Sequence, residues 1–188
     1  MKEVLVLGAE GCGKTLFISR LKTISQNGSS GSSSGSPTSS ESSESTAPTV
    51  GVELTSIEWD SCCDAFLVRE VGSSLSLRWE SFIPECSCLV FLVDCSDFGS
   101  FSSSLVLLAE VLSAATLTLC HGSKSVLLAF NKSDLADSST IAICYNVLDI
   151  DGLLSRTDIN VTFVTGSSID CSLCYAALRW MTACVMQP

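Results

Sequence analysis

The feature that most constrains this chain is the segment Gly8–Thr15, which reads Gly-Ala-Glu-Gly-Cys-Gly-Lys-Thr. It matches the pattern G-x-x-x-x-G-K-[ST] in full, and it lies between the apolar run Val4–Leu7 and the stretch Leu16–Leu21. Glycines let a backbone wrap around phosphate groups, and the first amides of a following helix point hydrogen-bond donors at them. We therefore predict a strand, a phosphate-binding loop and a helix, with Lys14 as the cation and Thr15 as a ligand of Mg²⁺.

A second short motif predicts which base is bound. Asn131-Lys-Ser-Asp134 follows the apolar run Ser125–Phe130, and N-K-x-D after a strand is typical of guanine recognition. The Asp134 carboxylate can accept hydrogen bonds from N1–H and N2–H of guanine, a donor pair that adenine lacks. We expect Asn131 to bond N7 and to stiffen the phosphate loop, and the Lys132 stem to lie over the base. Such a site rejects the wrong base because its own polar groups would lose their partners, so GTP and GDP are favoured over ATP.

Length and composition limit the class of protein. With 188 residues, 46% of them hydrophobic, the chain is long enough for a single domain, 1–188, with a sizeable core. Its net charge of −10 argues against nucleic acids and anionic membranes as partners. We find no signal peptide, no apolar run long enough to cross a membrane, and no myristoylation or prenylation motif. The expectation is a cytoplasmic monomer without a lipid anchor.

The eleven cysteines are scattered along the chain as small apolar residues would be. A structural zinc site needs four converging ligands, and the close pairs Cys86/Cys88 and Cys171/Cys174 are far in sequence from the lone His121. We expect reduced thiols and no zinc.

Residues 25–47 are almost wholly Ser, Gly, Thr, Pro and Glu, so we expect a disordered insertion. It precedes Pro48-Thr-Val-Gly51, the position of the first switch in GTPases, where a hydroxyl completes Mg²⁺ coordination and contacts the γ-phosphate. Thr49 is the candidate for that hydroxyl, and Thr38 is a competing one with no strand after it. The insertion is either a phosphorylated regulatory tether or a neutral loop expansion, and the low cost of surface insertions favours the neutral one.

Strands and helices alternate along the rest of the chain. We predict a hairpin of strands at 50–59 and 65–68, strands at 88–93 and 161–164, and helices at 100–119, 136–148 and 174–185. This order predicts an α/β fold, a mostly parallel six-stranded sheet with one antiparallel hairpin strand and helices on both faces. Ligands bind at the carboxyl ends of such strands, where the phosphate loop, Thr49, Asn131 and the segment 165–168 all fall.

These motifs together resemble a small GTPase of the ADP-ribosylation factor-like (Arf-like) family, over essentially the whole chain except the Ser-rich insertion. The resemblance depends on Gly8–Thr15, Pro48–Gly51, Trp79 followed by Phe82, Leu89–Asp97, Asn131–Asp134 and Leu178–Trp180. It implies a P-loop G domain that binds GTP or GDP with Mg²⁺. It also implies GTP-dependent effectors in intracellular or ciliary membrane traffic, with exchange and activating factors as further partners.

The resemblance assigns nucleotide contacts residue by residue. The contacts with phosphates, metal and base would come from Gly8, Glu10, Gly11, Cys12, Gly13, Lys14, Thr15, Thr49, Ser73, Asn131, Lys132, Asp134, Ser167 and Ser168. The Mg²⁺ ligands would be Thr15, Thr49 and Glu70. Ser167-Ser168 would match the Ser-Ala motif in which a backbone N–H meets guanine O6, and we expect Ser168 to leave that amide available.

The second switch departs from the family pattern Asp-x-x-Gly-Gln, because the matching stretch here reads Glu70-Val-Gly-Ser-Ser74. Glu70 replaces the Asp that holds Mg²⁺ through water, and Ser73 replaces the glycine whose amide contacts the γ-phosphate. Ser74 replaces the Gln that positions the attacking water, and a hydroxyl that short does not reach it. We therefore predict weak or absent intrinsic GTP hydrolysis and no confident catalytic residue, although an activating protein could supply an arginine.

The effector surface of the family corresponds here to Val52, Arg69 and Phe82, with Arg69 in the place of the usual Trp. Generic Arf effectors are therefore expected to bind poorly. For Trp79 we favour simple core packing over a role in this surface.

Three classes of function fit this sequence. The first is a nucleotide-gated switch, and the second is a pseudo-GTPase interaction scaffold, which the changed second switch favours. A small P-loop kinase ranks last, because it would need a lid with arginines and the chain has no such basic cluster.

Overall fold

The computed structural model describes residues 2–28, 49–58, 65–96, 98–117, 125–147 and 159–186. Six strands form one sheet in the order β2-β3-β1-β4-β5-β6. Their bounds are β1 Glu3–Gly8, β2 Val52–Ile57, β3 Phe66–Val71, β4 Cys88–Asp94, β5 Ser125–Asn131 and β6 Asn160–Thr165. Only β2 and β3 pair antiparallel, and every other neighbouring pair is parallel. The predicted mostly parallel sheet with one antiparallel hairpin is confirmed.

Within the described residues, four α-helices cover the two faces of this sheet, as predicted. They are α1 Lys14–Gly28, α2 Phe98–Leu117, α3 Ser138–Val147 and α4 Ser172–Met186. Alternate residues of a strand point to opposite faces, so β1 contributes to two cores. Val4 and Val6 pack in one cluster with residues of α1 and α4, and Leu5 and Leu7 in the other with residues of α2 and α3. Burial on both faces explains why β1 is a continuous apolar run.

Several predicted bounds are wrong, and one stretch contains elements that were not predicted. The helix α1 extends through Gly28 and buries Ser25, so the insertion does not begin at residue 25; its remainder, 29–47, lies outside the described residues. Strand β3 continues to Val71, three residues beyond the predicted end, because it pairs with both β1 and β2. Two 3₁₀-helices, Ser73–Ser81 and Ile83–Glu85, occupy a stretch for which we predicted no element.

The helix α2 has 20 residues, the predicted length, and begins two residues before the predicted start. Its window 98–115 has a mean hydropathy of 1.5 and is long enough to cross a membrane by length and composition, which contradicts the expectation that no such run exists. One third of this window is buried, by side chains such as Phe101, Leu108 and Val111 that pack against the sheet. A core helix passes the same test of length and composition, so the window alone does not indicate a membrane span.

Candidate functional site

The site lies along one edge of the sheet, where the parallel strands end. The loop after β1 carries the phosphate-binding motif, and β3 brings Glu70 to the same edge. The strands β4 and β5 end at Asp94 and Asn131, which are register partners. The sequence therefore placed the candidate residues on the correct edge, since carboxyl ends of parallel strands meet there.

Two glycines of the phosphate loop are required by geometry. Gly13 has a φ of +92°, and a Cβ atom there would lie 2.6 Å from Nδ2 of Asn131. Gly8 has a φ of +154°, and its Cβ would lie 2.6 Å from the Leu92 carbonyl oxygen. Only glycine allows both the left-handed backbone and the close approach of neighbouring strands and side chains. The loop thereby keeps the tight curvature that a phosphate cradle needs.

The cation of the loop is held in place by the backbone. Lys14 is buried, and its Nζ atom donates to the carbonyl oxygens of Gly8, at 3.0 Å, and of Ala9, at 2.9 Å. No carboxylate accepts from Lys14 among the ion pairs of the described residues, so its charge is free to meet an anion. The fully buried Cys12 has its pKa raised by burial, against the lowering effect of Lys14, so this thiol stays protonated and packs as an apolar group.

Asn131 connects the phosphate loop to the loop after β6. Its Nδ2 donates to the Cys12 carbonyl oxygen at 2.9 Å. Its Oδ1 accepts from the backbone N–H and from the hydroxyl of Ser168, both at 3.0 Å. The bond to Cys12 is the contact through which Asn131 would stiffen the phosphate loop, and its second amide hydrogen is left for a base nitrogen.

The same contacts correct the expectation for Ser168. Its backbone N–H was expected to stay available for guanine O6, but it donates to Asn131 instead. The neighbouring N–H of Ile169 donates to the Ser167 hydroxyl at 3.1 Å, so that amide is also engaged. Ser167 and Ser168 are both buried and act here by shaping the loop behind the base position.

Lys132 is anchored at the mouth of the base site. It has a φ of +63°, and its Nζ forms an ion pair with Oδ2 of the buried Asp94 at 2.6 Å. The other carboxylate oxygen of Asp94 accepts from the N–H and hydroxyl of Ser96. Asp134 is exposed two residues further on, as a carboxylate that reads a base from the solvent side must be. Sequence reasoning gave Asp94 no role, although its position at the end of a buried strand signalled one.

Three oxygens meet where the predicted Mg²⁺ ligands converge. The Oγ1 atoms of Thr15 and Thr49 lie 2.9 Å apart, and each donates to Oε1 of Glu70 at 2.8 Å. Hydroxyl and carboxylate oxygens are the ligands that Mg²⁺ prefers, so this donor set fits the predicted metal. Thr38, the competing candidate, lies outside the described residues.

The two switch segments are joined at Gly72. Its N–H donates to the Gly51 carbonyl oxygen at 2.9 Å, and its carbonyl oxygen accepts from Nε1 of Trp79 at 3.2 Å. A Cβ atom on Gly72 would lie 2.1 Å from the carbonyl oxygen of Thr49, so only glycine allows this approach. Trp79 is itself buried against Phe91, which confirms its predicted core role.

The remaining candidates of the site differ in exposure. Glu10 and Gly11 are exposed on the phosphate loop, and Ser73 is half-buried at the start of the first 3₁₀-helix. Ser74 follows it and is exposed. In the parts of the chain that the structure describes, no three His, Cys, Asp or Glu side chains lie close enough together to hold a metal ion.

The predicted effector residues form an ionic cluster with their neighbours. The Nε and Nη2 atoms of Arg69 contact the two carboxylate oxygens of Glu3 at 2.6 and 2.8 Å, and its Nη1 contacts Glu85 at 3.0 Å. The guanidinium also lies 5.5 Å from the ring centre of Phe82. We define this cluster as Glu3, Arg69, Phe82 and Glu85. It carries charge at the position where the family pattern has an aromatic Trp.

Comparison with known sequences agrees with the motifs. The sequence signature of the ADP-ribosylation factor family matches residues 1–185. The chain is 31% identical over 179 residues to human ADP-ribosylation factor-like protein 16, covering 95% of this chain and 84% of that protein. It is 27% identical over 156 residues to ADP-ribosylation factor-like protein 1 of Caenorhabditis elegans, covering 82% of this chain and 74% of that protein.

Comparison with solved structures agrees with the fold. The chain is similar to the Arl6 (BBS3) small GTPase of Trypanosoma brucei with bound nucleotide analogue GppNp, with a TM-score of 0.73 and 20% sequence identity. The match covers 98% of this chain and 96% of that one. The predicted small-GTPase fold is confirmed.

Proposed function

This chain belongs to the ADP-ribosylation factor family, and on that premise we propose that it is a GTP- and GDP-binding switch with weak or absent intrinsic hydrolysis. In the GTP state it would recruit effector proteins in intracellular or ciliary membrane traffic. Exchange and activating factors would control its nucleotide state.

Nucleotide binding is supported by the phosphate loop and its surroundings. The buried Lys14 touches only carbonyl oxygens and a thiol there, and an anion would complete its set of donors. The glycines at 8 and 13 keep the space that a side chain would fill. The bound nucleotide analogue of the Trypanosoma brucei relative supports a ligand of the same chemical class.

Mg²⁺ is the metal that the donor set of Thr15, Thr49 and Glu70 would hold. When bound, it would neutralise charge on the phosphate groups. Thr49 belongs to the first switch, and Gly72 joins that switch to the second one. A change at Thr49 would therefore be passed to the second switch through one hydrogen bond and one close backbone contact.

Weak hydrolysis is supported by Ser74, the single observation that carries this part of the proposal. The side chain is exposed at the start of a 3₁₀-helix, and it is shorter than that of Gln and lacks the amide group that orients water. The intact base and phosphate motifs favour a working switch over a pseudo-GTPase scaffold.

Single-turnover hydrolysis of GTP tests this proposal. A Gln-bearing GTPase such as Ras hydrolyses GTP at about 4 × 10⁻⁴ s⁻¹ without an activating protein, and we expect the wild type to be at least about tenfold slower. Ser74→Gln should raise the rate, whereas Ser81→Gln, at the exposed end of the same helix, should leave it unchanged. A wild-type rate near that of Gln-bearing GTPases would contradict weak hydrolysis.

A further inference from the structure

The Mg²⁺ donor set has a regular shape. Oγ1 of Thr15, Oγ1 of Thr49 and Oε1 of Glu70 form a triangle with sides of 2.9, 2.8 and 2.8 Å. Six oxygens that surround Mg²⁺ at about 2.0–2.1 Å form an octahedron, in which neighbouring oxygens are about 2.8–3.0 Å apart. The triangle therefore has the dimensions of one face of a magnesium octahedron.

Hydrogen bonds alone do not account for all three sides. Each threonine hydroxyl carries one hydrogen, and an ionised carboxylate carries none. If both hydroxyls donate to Glu70, no hydrogen is left between Thr15 and Thr49, and their oxygens meet at 2.9 Å without a donor. A cation in contact with all three oxygens removes this conflict.

The burial of Glu70 calls for a cation as well. The residue is 2% exposed, and it takes part in none of the ion pairs that the described residues form. A buried carboxylate is costly unless an opposite charge or a metal compensates it. Two neutral hydroxyls supply dipoles and no charge, so a bound cation would supply the compensating charge.

The length of the Glu70 side chain explains why its carboxylate reaches the hydroxyls of Thr15 and Thr49. An Asp at position 70 would end one carbon–carbon bond earlier, about 1.5 Å further from the hydroxyls. In the family pattern the Asp at this position acts through a water molecule, which fills such a gap. The extra methylene of Glu70 takes the place of that water.

We propose that Glu70 is a direct ligand of the nucleotide-bound Mg²⁺, with no water between its carboxylate and the metal. The inference rests on the proposed function, because the metal is held together with GTP. Of six octahedral positions, the protein would fill three and two phosphate oxygens of GTP two more. One position remains for water.

Counting metal-bound water tests this directly. The protein is loaded with a non-hydrolysable GTP analogue and Mn²⁺, and line broadening of the Mn²⁺ signal in ¹⁷O-enriched water gives the number of bound water molecules. We expect one water in the wild type and two in Glu70→Asp, which restores the family residue and the gap. Glu70→Gln keeps the length of the side chain, so it should keep one water while Mg²⁺ affinity falls about tenfold or more.

The outcomes separate this inference from the function it rests on. Nucleotide binding with two waters in the wild type would overturn direct coordination and leave the proposed function intact. No binding of any guanine nucleotide would overturn both. If Glu70→Asp fails to fold, the number of metal-bound water molecules in the wild type still decides. One water would support direct coordination by Glu70, and two would contradict it.

Discussion

Asn131 is the residue on which the geometry of the site depends most. It is 2% exposed, and its side chain joins the phosphate loop at Cys12 to the loop after β6 at Ser168. The two loops follow β1 and β6, which are not neighbours in the sheet, and the Asn131 side chain at the end of β5 bridges them. The residue that the motif identifies as a base reader is also a structural support.

Replacing Asn131 with Ala should therefore affect stability as well as binding. The change leaves the Cys12 carbonyl and the Ser168 amide without their partner, and buried groups left unpaired cost about 1–3 kcal/mol each. We expect the free energy of unfolding, measured with urea, to fall by about 2–4 kcal/mol. Asn146→Ala, on the exposed side of α3, is the control and should change it little. Equal effects of the two variants would contradict the role assigned to Asn131.

Cys184 differs from the other thiols in its acidity. A hydrogen bond with Cys88 lowers the pKa of Cys184 to about 7, opposed by partial burial and assisted by Ser125. Burial raises the pKa of Cys174, which precedes Cys184 by nearly three turns of the same helix, to about 12. Iodoacetamide should thus alkylate Cys184 before Cys174, with a rate that rises through about pH 7 as the thiolate forms.

The variant Cys88→Ala tests the cause of this acidity. Without its hydrogen bond, the midpoint of the alkylation profile should move up toward about 8.5, the ordinary value for a thiol. Mass spectrometry of the labelled peptides follows both cysteines in one experiment. A wild-type midpoint that already lies near about 8.5, or preferential labelling of Cys174, would show that the Cys88 contact does not stabilise the Cys184 thiolate.

At the scale of elements, the junction of β2, β3 and the first 3₁₀-helix decides how the switches communicate. The strands bring Gly51 and Gly72 together, and the helix returns Trp79 to the carbonyl of Gly72. The backbone of Thr49 lies so close to Gly72 that a methyl group does not fit between them. We therefore expect a displacement of one switch to displace the other.

The variant Gly72→Ala should uncouple the two switches. Its Cβ would lie 2.1 Å from the Thr49 carbonyl oxygen, and neither backbone segment can yield as a side chain would. We expect at least about a tenfold loss of GTP-analogue affinity, because Thr49 moves from the metal, while GDP affinity changes little. Ser73→Ala is the control, since it keeps the backbone N–H. Unchanged amide exchange at residues 49–52 in Gly72→Ala would contradict the account.

The elements and contacts of this fold differ in how well the sequence predicts them. Strands β1, β4 and β5 and the phosphate loop could be predicted because local apolar runs and a contiguous motif specify them. The bond of Ser168 to Asn131 and the approach of Gly72 to Thr49 join residues distant in sequence, and they depend on sheet order and register. The predicted end of β3 at residue 68 failed for the same reason, since pairing on both sides extends that strand through charged residues.

At the scale of the whole molecule, we expect the surface beside the switches to determine which effector proteins bind. Val52 is 44% exposed and Leu77 is 91% exposed, so apolar side chains are available for a contact. The predicted effector residues Arg69 and Phe82 belong to the cluster of Glu3, Arg69, Phe82 and Glu85, which no local pattern in the sequence revealed. An apolar partner surface that covered this cluster would have to desolvate its charges.

A standard Arf effector should therefore fail to bind this protein loaded with a GTP analogue, while it binds an Arf protein loaded in the same way. The triple variant Glu3→Gln, Arg69→Trp, Glu85→Gln removes the charges together and should gain binding in a pull-down. Circular dichroism checks that the variant folds. Binding of the wild type as strong as that of the Arf control would show that the ionic cluster does not select partners.

We expect one edge of the sheet to bind guanine nucleotides, and calorimetry of GDP, a non-hydrolysable GTP analogue and ATP in the presence of Mg²⁺ is the decisive measurement. Both guanine nucleotides should bind, and ATP should not. We also expect a loss of affinity of about 100-fold or more in Asp134→Asn, with Asp137→Asn, which keeps a capping residue on α3, as the unaffected control. Binding of ATP with equal affinity, or no nucleotide binding by the folded wild type, would contradict a guanine-nucleotide site at this edge.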